Sequence, residues 1–176
     1  MRSLLLDRDG VINRDSPEFI RRADDWQALP GSLAAIARAQ RAGFRIIVVS
    51  NQSGLARGLL DMTALNAIHR RLGEELARHG AMVDAFFFCP HGPDEGCACR
   101  KPRAGLLQAI AARLGLDLAA TPFIGDRVSD VEAALAAGAR PLLVRSGLSA
   151  PDPAALARLG EVPVYADLAT AIDALL

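Results

Sequence analysis

A three-layer α/β fold, a parallel sheet with helices on both faces, is the architecture this sequence predicts, and three observations carry the prediction. Short runs rich in leucine, isoleucine, valine and phenylalanine alternate with longer alanine- and leucine-rich segments of helical period, the pattern of repeated βα units rather than of hairpins. Gly43, Gly80, Gly115 and Gly138 close successive helical segments, where a left-handed residue ends a helix at little cost. Polar clusters follow one strand after another, as expected at the ligand-binding edge of a parallel sheet. With 51% hydrophobic residues in 176, the chain can bury the core of one compact domain.

The elements follow in order. Ser3–Leu6 is an apolar run that reads as the first strand, and Gly31–Ala42 has the spacing of a helix. Arg45–Ser50 carries four aliphatic residues in succession, Ile46 to Val49, and so reads as a strand covered on both faces. Met62–His79 is the longest helical segment, followed by strand Ala85–Cys89 and helix Ala104–Leu114. Pro122–Gly125 is the fourth strand, and Ser129 is placed to cap a helix over Asp130–Ala137. Strand Pro141–Arg145, helix Pro153–Arg158, a weak edge strand at Val162–Tyr165 and helix Leu168–Leu175 complete the chain. No insert is long enough for a separate cap domain; only Asn13 to Gly31 and the cysteine-bearing loop overhang the sheet.

Twenty basic and twenty acidic residues cancel, so no global field draws the chain to nucleic acid or an anionic membrane. A single tryptophan and a single tyrosine argue against a base-stacking surface. The leucines ahead of Asp7 are too few for a signal-peptide core, and no apolar run reaches membrane-spanning length, so a cytoplasmic monomer is expected.

The junction Leu6-Asp7-Arg8-Asp9-Gly10 is where chemistry begins. Carboxylates at i and i+2 project to one side of an extended segment. Two anions so close need a cation, and Mg2+ with its oxygen ligands suits them, letting a carboxylate approach a phosphoryl group. Ser50 and Asn51 end the second strand with groups able to donate to phosphoryl oxygens, and Lys101 adds a fixed positive charge. Cys89-x-His91 and Cys97-x-Cys99 supply the complement of a closed structural zinc site. A disulfide or a buried free thiol is the plainer alternative. His69 and His79 read as surface residues, and Phe19 and Trp26 as packing onto the domain.

In their order along the chain, Asp7-Arg8-Asp9-Gly10-Val11, Ser50-Asn51, Lys101 and Gly125-Asp126-Arg127-Val128-Ser129-Asp130 resemble the motifs of the haloacid-dehalogenase superfamily. Ser50 to Gly58, together with the cysteine-histidine elements and Arg100-Lys101-Pro102, is similar to the heptose 1,7-bisphosphate phosphatase family over nearly the whole chain. The histidinol-phosphate phosphatases are the nearest sibling family. A non-catalytic zinc-stabilised module that binds phosphosugars or a protein is the alternative of another class.

The resemblance implies a phosphatase acting through an aspartyl-phosphate on the 7-phosphate of a heptose bisphosphate, a small phosphosugar. It makes Asp7 the nucleophile and Asp9 the acid/base, and places Mg2+ on Asp7, the backbone carbonyl of Asp9, and Asp126. Asp130 is expected to hold Asp126 or a neighbouring loop rather than the metal. Substrate contacts are implied for Asp15, Ser16, Pro17 and Glu18 in the loop after the first strand, and for Asn51, Gln52, Ser53 and Arg57 after the second. Arg100 is implied to recognise the other phosphate, and Arg127 stands where relatives carry lysine, which keeps charge but alters reach.

Overall fold

The computed structural model describes residues 2–176. One six-stranded, wholly parallel sheet runs through it in the order β3-β2-β1-β4-β5-β6. Its strands are β1 (Arg2–Leu6), β2 (Phe44–Asn51), β3 (Ala85–Cys89), β4 (Pro122–Gly125), β5 (Arg140–Val144) and β6 (Val164–Tyr165). The helices are α1 (Ser32–Arg41), α2 (Ser53–Ala56), α3 (Met62–Arg78), α4 (Gly105–Leu114), α5 (Val128–Ala137), α6 (Pro153–Ala157) and α7 (Leu168–Asp173).

Alternation along the strands divides the core into two layers. Leu4, Leu6, Ile46 and Val48 face a layer built with α1, α3 and α7, to which α3 contributes Leu65, Ile68, Leu72 and Leu76. Leu5, Ile47, Val49 and Phe123 face the other layer, closed by Leu106, Leu107 and Ile110 of α4 and Ala133 and Ala134 of α5. Each central strand therefore buries both faces, which is why its sequence reads as a continuous apolar run. The chain moves outward in one direction from β1 to β3 and in the other from β4 to β6, so the order reverses between β1 and β4. Ligands of such sheets bind beyond the strand carboxyl ends at that reversal. Among the described residues no helix is long and apolar enough to cross a membrane.

The expected elements are all present, with ends shifted by a residue or two. Two details differ. Ser129 does not cap α5: the helix already begins at Val128, and the Asp130 carboxylate accepts the Arg127 backbone N–H from inside the first turn at 3.0 Å. The segment after β2 closes into the short helix α2, which the turn-like Gln52-Ser53-Gly54 sequence does not announce.

Candidate active site

Asp7, Asp9, Asp126 and Lys101 meet at the reversal because β1, β2 and β4 end side by side there. Lys101 arrives from a loop and is tied to the end of β2. Its backbone N–H donates to Asn51 Oδ1 and its carbonyl accepts from Asn51 Nδ2, both at 3.1 Å. Its ammonium, buried to 3% exposure, reaches three acceptors: Val49 O at 3.1 Å, Asp7 Oδ1 at 3.0 Å and Asp130 Oδ1 at 2.7 Å. Two of the three are carboxylates, so the ammonium is charge-paired as well as held by the backbone. Burial alone would lower the Lys101 pKa, but Asp130 and Asp7 raise it above its ordinary value.

Asp7, Asp126 and Asp130 bring carboxylate oxygens within 4.8 Å of one another. Three carboxylates against one ammonium leave two buried negative charges in excess. Burial, only partly offset by Lys101, pushes Asp7 up to about 7. Burial and repulsion from Asp7 and Asp130 push Asp126 up to about 8, and its Oδ1 is buried without a hydrogen-bond partner. Gly10 and Gly147 crowd the Asp126 carboxylate so closely that a Cβ on either would collide with it. An unpartnered, buried Oδ1 beside two further carboxylates, on a side chain whose other oxygen is closed in by glycine backbone, fits a small divalent cation with oxygen ligands.

Asp9 is held differently. Burial favours its neutral form, but the Arg8 guanidinium and hydrogen bonds from Asn13 and Gln52 outweigh burial and hold its pKa below the ordinary carboxylate value. Arg8, wholly buried, binds both Asp9 oxygens, with Nη2 at 2.9 Å from each. Asn13 Nδ2 donates to Asp9 Oδ1 at 2.9 Å, and Gln52 Nε2 to Oδ2 at 3.3 Å. The grip of Arg8 on Asp9 escaped the sequence reading, although its place between two outward aspartates was the signal for it; Asn13, expected at the start of a loop Asn13–Glu18 over the sugar, is instead wholly buried and reaches Asp9.

A cavity of about 660 Å3 opens over Asp7 and Asp9. Asp15, Ser16 and Pro17 line it from the loop after β1, Asn51, Gln52, Ser53 and Arg57 from the end of β2, and Arg100 and Arg127 from two further loops. The Asp15 carboxylate meets Arg127 Nη2 at 2.6 Å, joining the loops after β1 and β4 across the mouth. Two expectations need correction. Glu18 faces a neighbouring cavity instead of this one. Ser50, 1% exposed, does not line the cavity and accepts from Gln52 Nε2 at 3.3 Å, because alternation along β2 puts it on the side of Ile46 and Val48, toward the layer built with α1, α3 and α7. Asp130 holds neighbouring loops, the second of its two expected roles, by pairing with Lys101 and accepting the Arg127 backbone N–H.

The cysteine-histidine residues converge. Cys89 Sγ lies 3.2 Å from Cys99 Sγ, 3.6 Å from Cys97 Sγ and 3.5 Å from His91 Nδ1, and His91 Nδ1 lies 3.2 Å from Cys99 Sγ. The sulfurs are too far apart for disulfides, all three thiols are free, and the cluster is able to hold a metal ion. Arg100 Nη1 donates to the His91 carbonyl at 3.3 Å, which couples this loop to the cavity wall. The other histidines part company: His79 is exposed, whereas His69 is half-buried and stacked on Phe86 with ring centroids 4.1 Å apart. Trp26 is buried as expected, but Phe19 lines the cavity.

Comparison with known proteins bears on this site. The HAD-hydrolase-like family profile matches residues 98–171. The D-glycero-beta-D-manno-heptose-1,7-bisphosphate 7-phosphatase of Bordetella bronchiseptica is 53% identical over 147 residues, 84% of this chain and 82% of that one. The Pseudomonas aeruginosa protein of the same name is 49% identical over 82% of this chain and 81% of its own. Among solved structures, the D,D-heptose 1,7-bisphosphate phosphatase of B. bronchiseptica, complexed with magnesium and phosphate, superposes with a TM-score of 0.92 at 48% identity, covering 99% of this chain and 98% of that chain.

Proposed function

We infer the reaction of this chain from its kinship: the chain belongs to the D-glycero-beta-D-manno-heptose-1,7-bisphosphate 7-phosphatase family of HAD-like hydrolases, which are magnesium-dependent phosphatases. It removes the 7-phosphate of a heptose 1,7-bisphosphate, a step toward the ADP-heptose of lipopolysaccharide core. The observation that carries this reading is one cavity with a carboxylate cluster at its base and arginines on its wall, suited to a substrate with two phosphates.

In this mechanism Asp7 attacks phosphorus and the bond to the sugar oxygen breaks, leaving the phosphoryl group on the Asp7 carboxylate. Asp9 delivers a proton to the departing oxygen. Water then attacks the same phosphorus, Asp9 takes its proton, the bond to Asp7 breaks, and inorganic phosphate leaves with both aspartates restored. Arg8, Asn13 and Gln52 fix the Asp9 carboxylate, and Ser50 braces Gln52 from behind. Lys101 neutralises charge beside Asp7 without reorganising, which is where such sites gain most of their rate. Magnesium held by Asp7, Asp126 and the Asp9 carbonyl, when bound, screens the phosphoryl oxygens from these carboxylates.

Cys89, His91, Cys97 and Cys99 hold a structural zinc ion in this reading, supported by their mutual distances. Rigidity of that loop fixes Arg100 for the second phosphate, with Arg57 and Arg127 alongside. The reading takes the protein as a cytoplasmic monomer. An amine-bearing substrate such as histidinol phosphate is disfavoured, since Asp15 is already neutralised by Arg127. Turnover with magnesium across both heptose bisphosphate anomers, fructose 1,6-bisphosphate and histidinol phosphate tests the reading: preference for a heptose bisphosphate is expected, and preference for histidinol phosphate would overturn it.

A further inference from the structure

Phe19 is the one described non-glycine residue with a left-handed backbone, at φ 66°. A bulky side chain there strains the backbone, and glycine would avoid that strain. The hydrophobic core does not account for it, because the ring is only half-buried. A turn in which the Phe19 N–H donates to Ser16 O at 3.1 Å holds the backbone in this conformation.

The ring forms part of the wall of the active-site cavity and also of the neighbouring cavity of about 1100 Å3, so it stands on the partition between them. It packs over Gly54, where a Cβ would come within 3.6 Å of Phe19 Cδ1 and press into Leu60. Arg57 lies with its guanidinium carbon 5.6 Å from the ring centroid, within cation–π range. An apolar, positioned surface thus adjoins a cationic group in a wall otherwise rich in charge.

We propose that Phe19 is a specificity-determining residue, its ring forming the face against which the C–H edge of a phosphorylated polyol chain packs while Arg57 takes up negative charge beside it. This rests on the functional reading above and names the part of the substrate that the partition recognises. A substrate without a carbon chain, such as acetyl phosphate, reaches Asp7 without touching the ring.

The test compares kcat/KM for heptose bisphosphate and acetyl phosphate in the magnesium-loaded full chain. Phe19→Ala should lower the heptose-to-acetyl ratio about tenfold, the scale expected for one lost apolar face, and Phe19→Tyr should restore it. Phe19→Gly should show the same loss of preference with thermal stability at least equal to that of Phe19→Ala, since glycine relieves the backbone. An unchanged ratio in both truncations, or an equal fall on both substrates, would overturn the proposal. Inactivity of the unsubstituted enzyme on heptose bisphosphate would instead overturn the functional reading, and that result is visible before any variant is made.

Discussion

Lys101 and Asp130 form an ion pair at 2.7 Å in which each side chain is only 2% exposed, and the same ammonium lies 3.0 Å from Asp7. One cation therefore binds Asp7 to the first turn of α5, and Asp130 also caps that helix through the Arg127 N–H.

Removing one partner of such a pair strands the other. Lys101→Met should reduce kcat by a hundredfold or more and cost about 3–5 kcal/mol of stability. Asp130→Asn, which keeps an acceptor for the Arg127 N–H, should cost less of both. Steady-state kinetics and urea melts of the two variants and their combination would check this, and additive effects would argue against the shared network.

Asp7→Asn should abolish turnover while leaving the fold intact, and without magnesium the variant should be the more stable protein at neutral pH. The sign follows from burial. Asp7 and Asp126 titrate at about 7 and about 8 in the folded chain, against an ordinary 3.8. The native state then holds more protons across that interval, so metal-free stability falls as pH rises through it. Magnesium should raise the melting temperature by an increment that grows from pH 5 to pH 8. His69 opposes this: burial and Arg8 lower it from 6.5 to about 4, so its contribution is lost as pH falls through that range. His69→Phe, which retains a ring against Phe86, should expose the carboxylate trend; a magnesium increment independent of pH in that variant would count against the assignment.

Gly147→Ala should weaken magnesium binding without unfolding the chain. The added Cβ would collide with the Asp126 carboxylate and turn it from its present position. An increase of about tenfold or more in the magnesium concentration giving half-maximal rate is expected, on the scale of a disturbed ligand sphere. Titration of activity with magnesium would read it directly.

Cys99→Ser, or chelation verified by metal analysis, should raise KM more than it lowers kcat. The affected group is Arg100, hydrogen-bonded to the His91 carbonyl within the knuckle, whereas Lys101 keeps its separate anchors on Asn51 and Val49. Unchanged KM in demonstrably zinc-free protein would remove zinc from substrate binding.

Strand β2 and helix α3 were legible because their signals are local: a run of β-branched residues in one, a helical period closed by glycine in the other. The aspartates and the cysteine-histidine set were legible as candidate metal ligands because their residue types and order along the chain restrict the chemistry open to them. Hydrogen-bond partners were not. Asn51 reads as a phosphate donor, yet its amide is engaged with the backbone of Lys101, fifty residues away. Gln52 reads as a substrate contact and spends its amide on Asp9 and Ser50.

Periodicity and motif order reside in the chain, and the parallel α/β architecture, the phosphatase family and the residues able to hold metal follow from them. Only the tertiary structure decided that Arg8 grips Asp9, that Asp130 serves Lys101, that Glu18 faces away, and that Phe19 stands in a strained partition. Those outcomes depend on which strand ends lie side by side and on which face alternation turns each side chain, and both are settled by packing across distant segments.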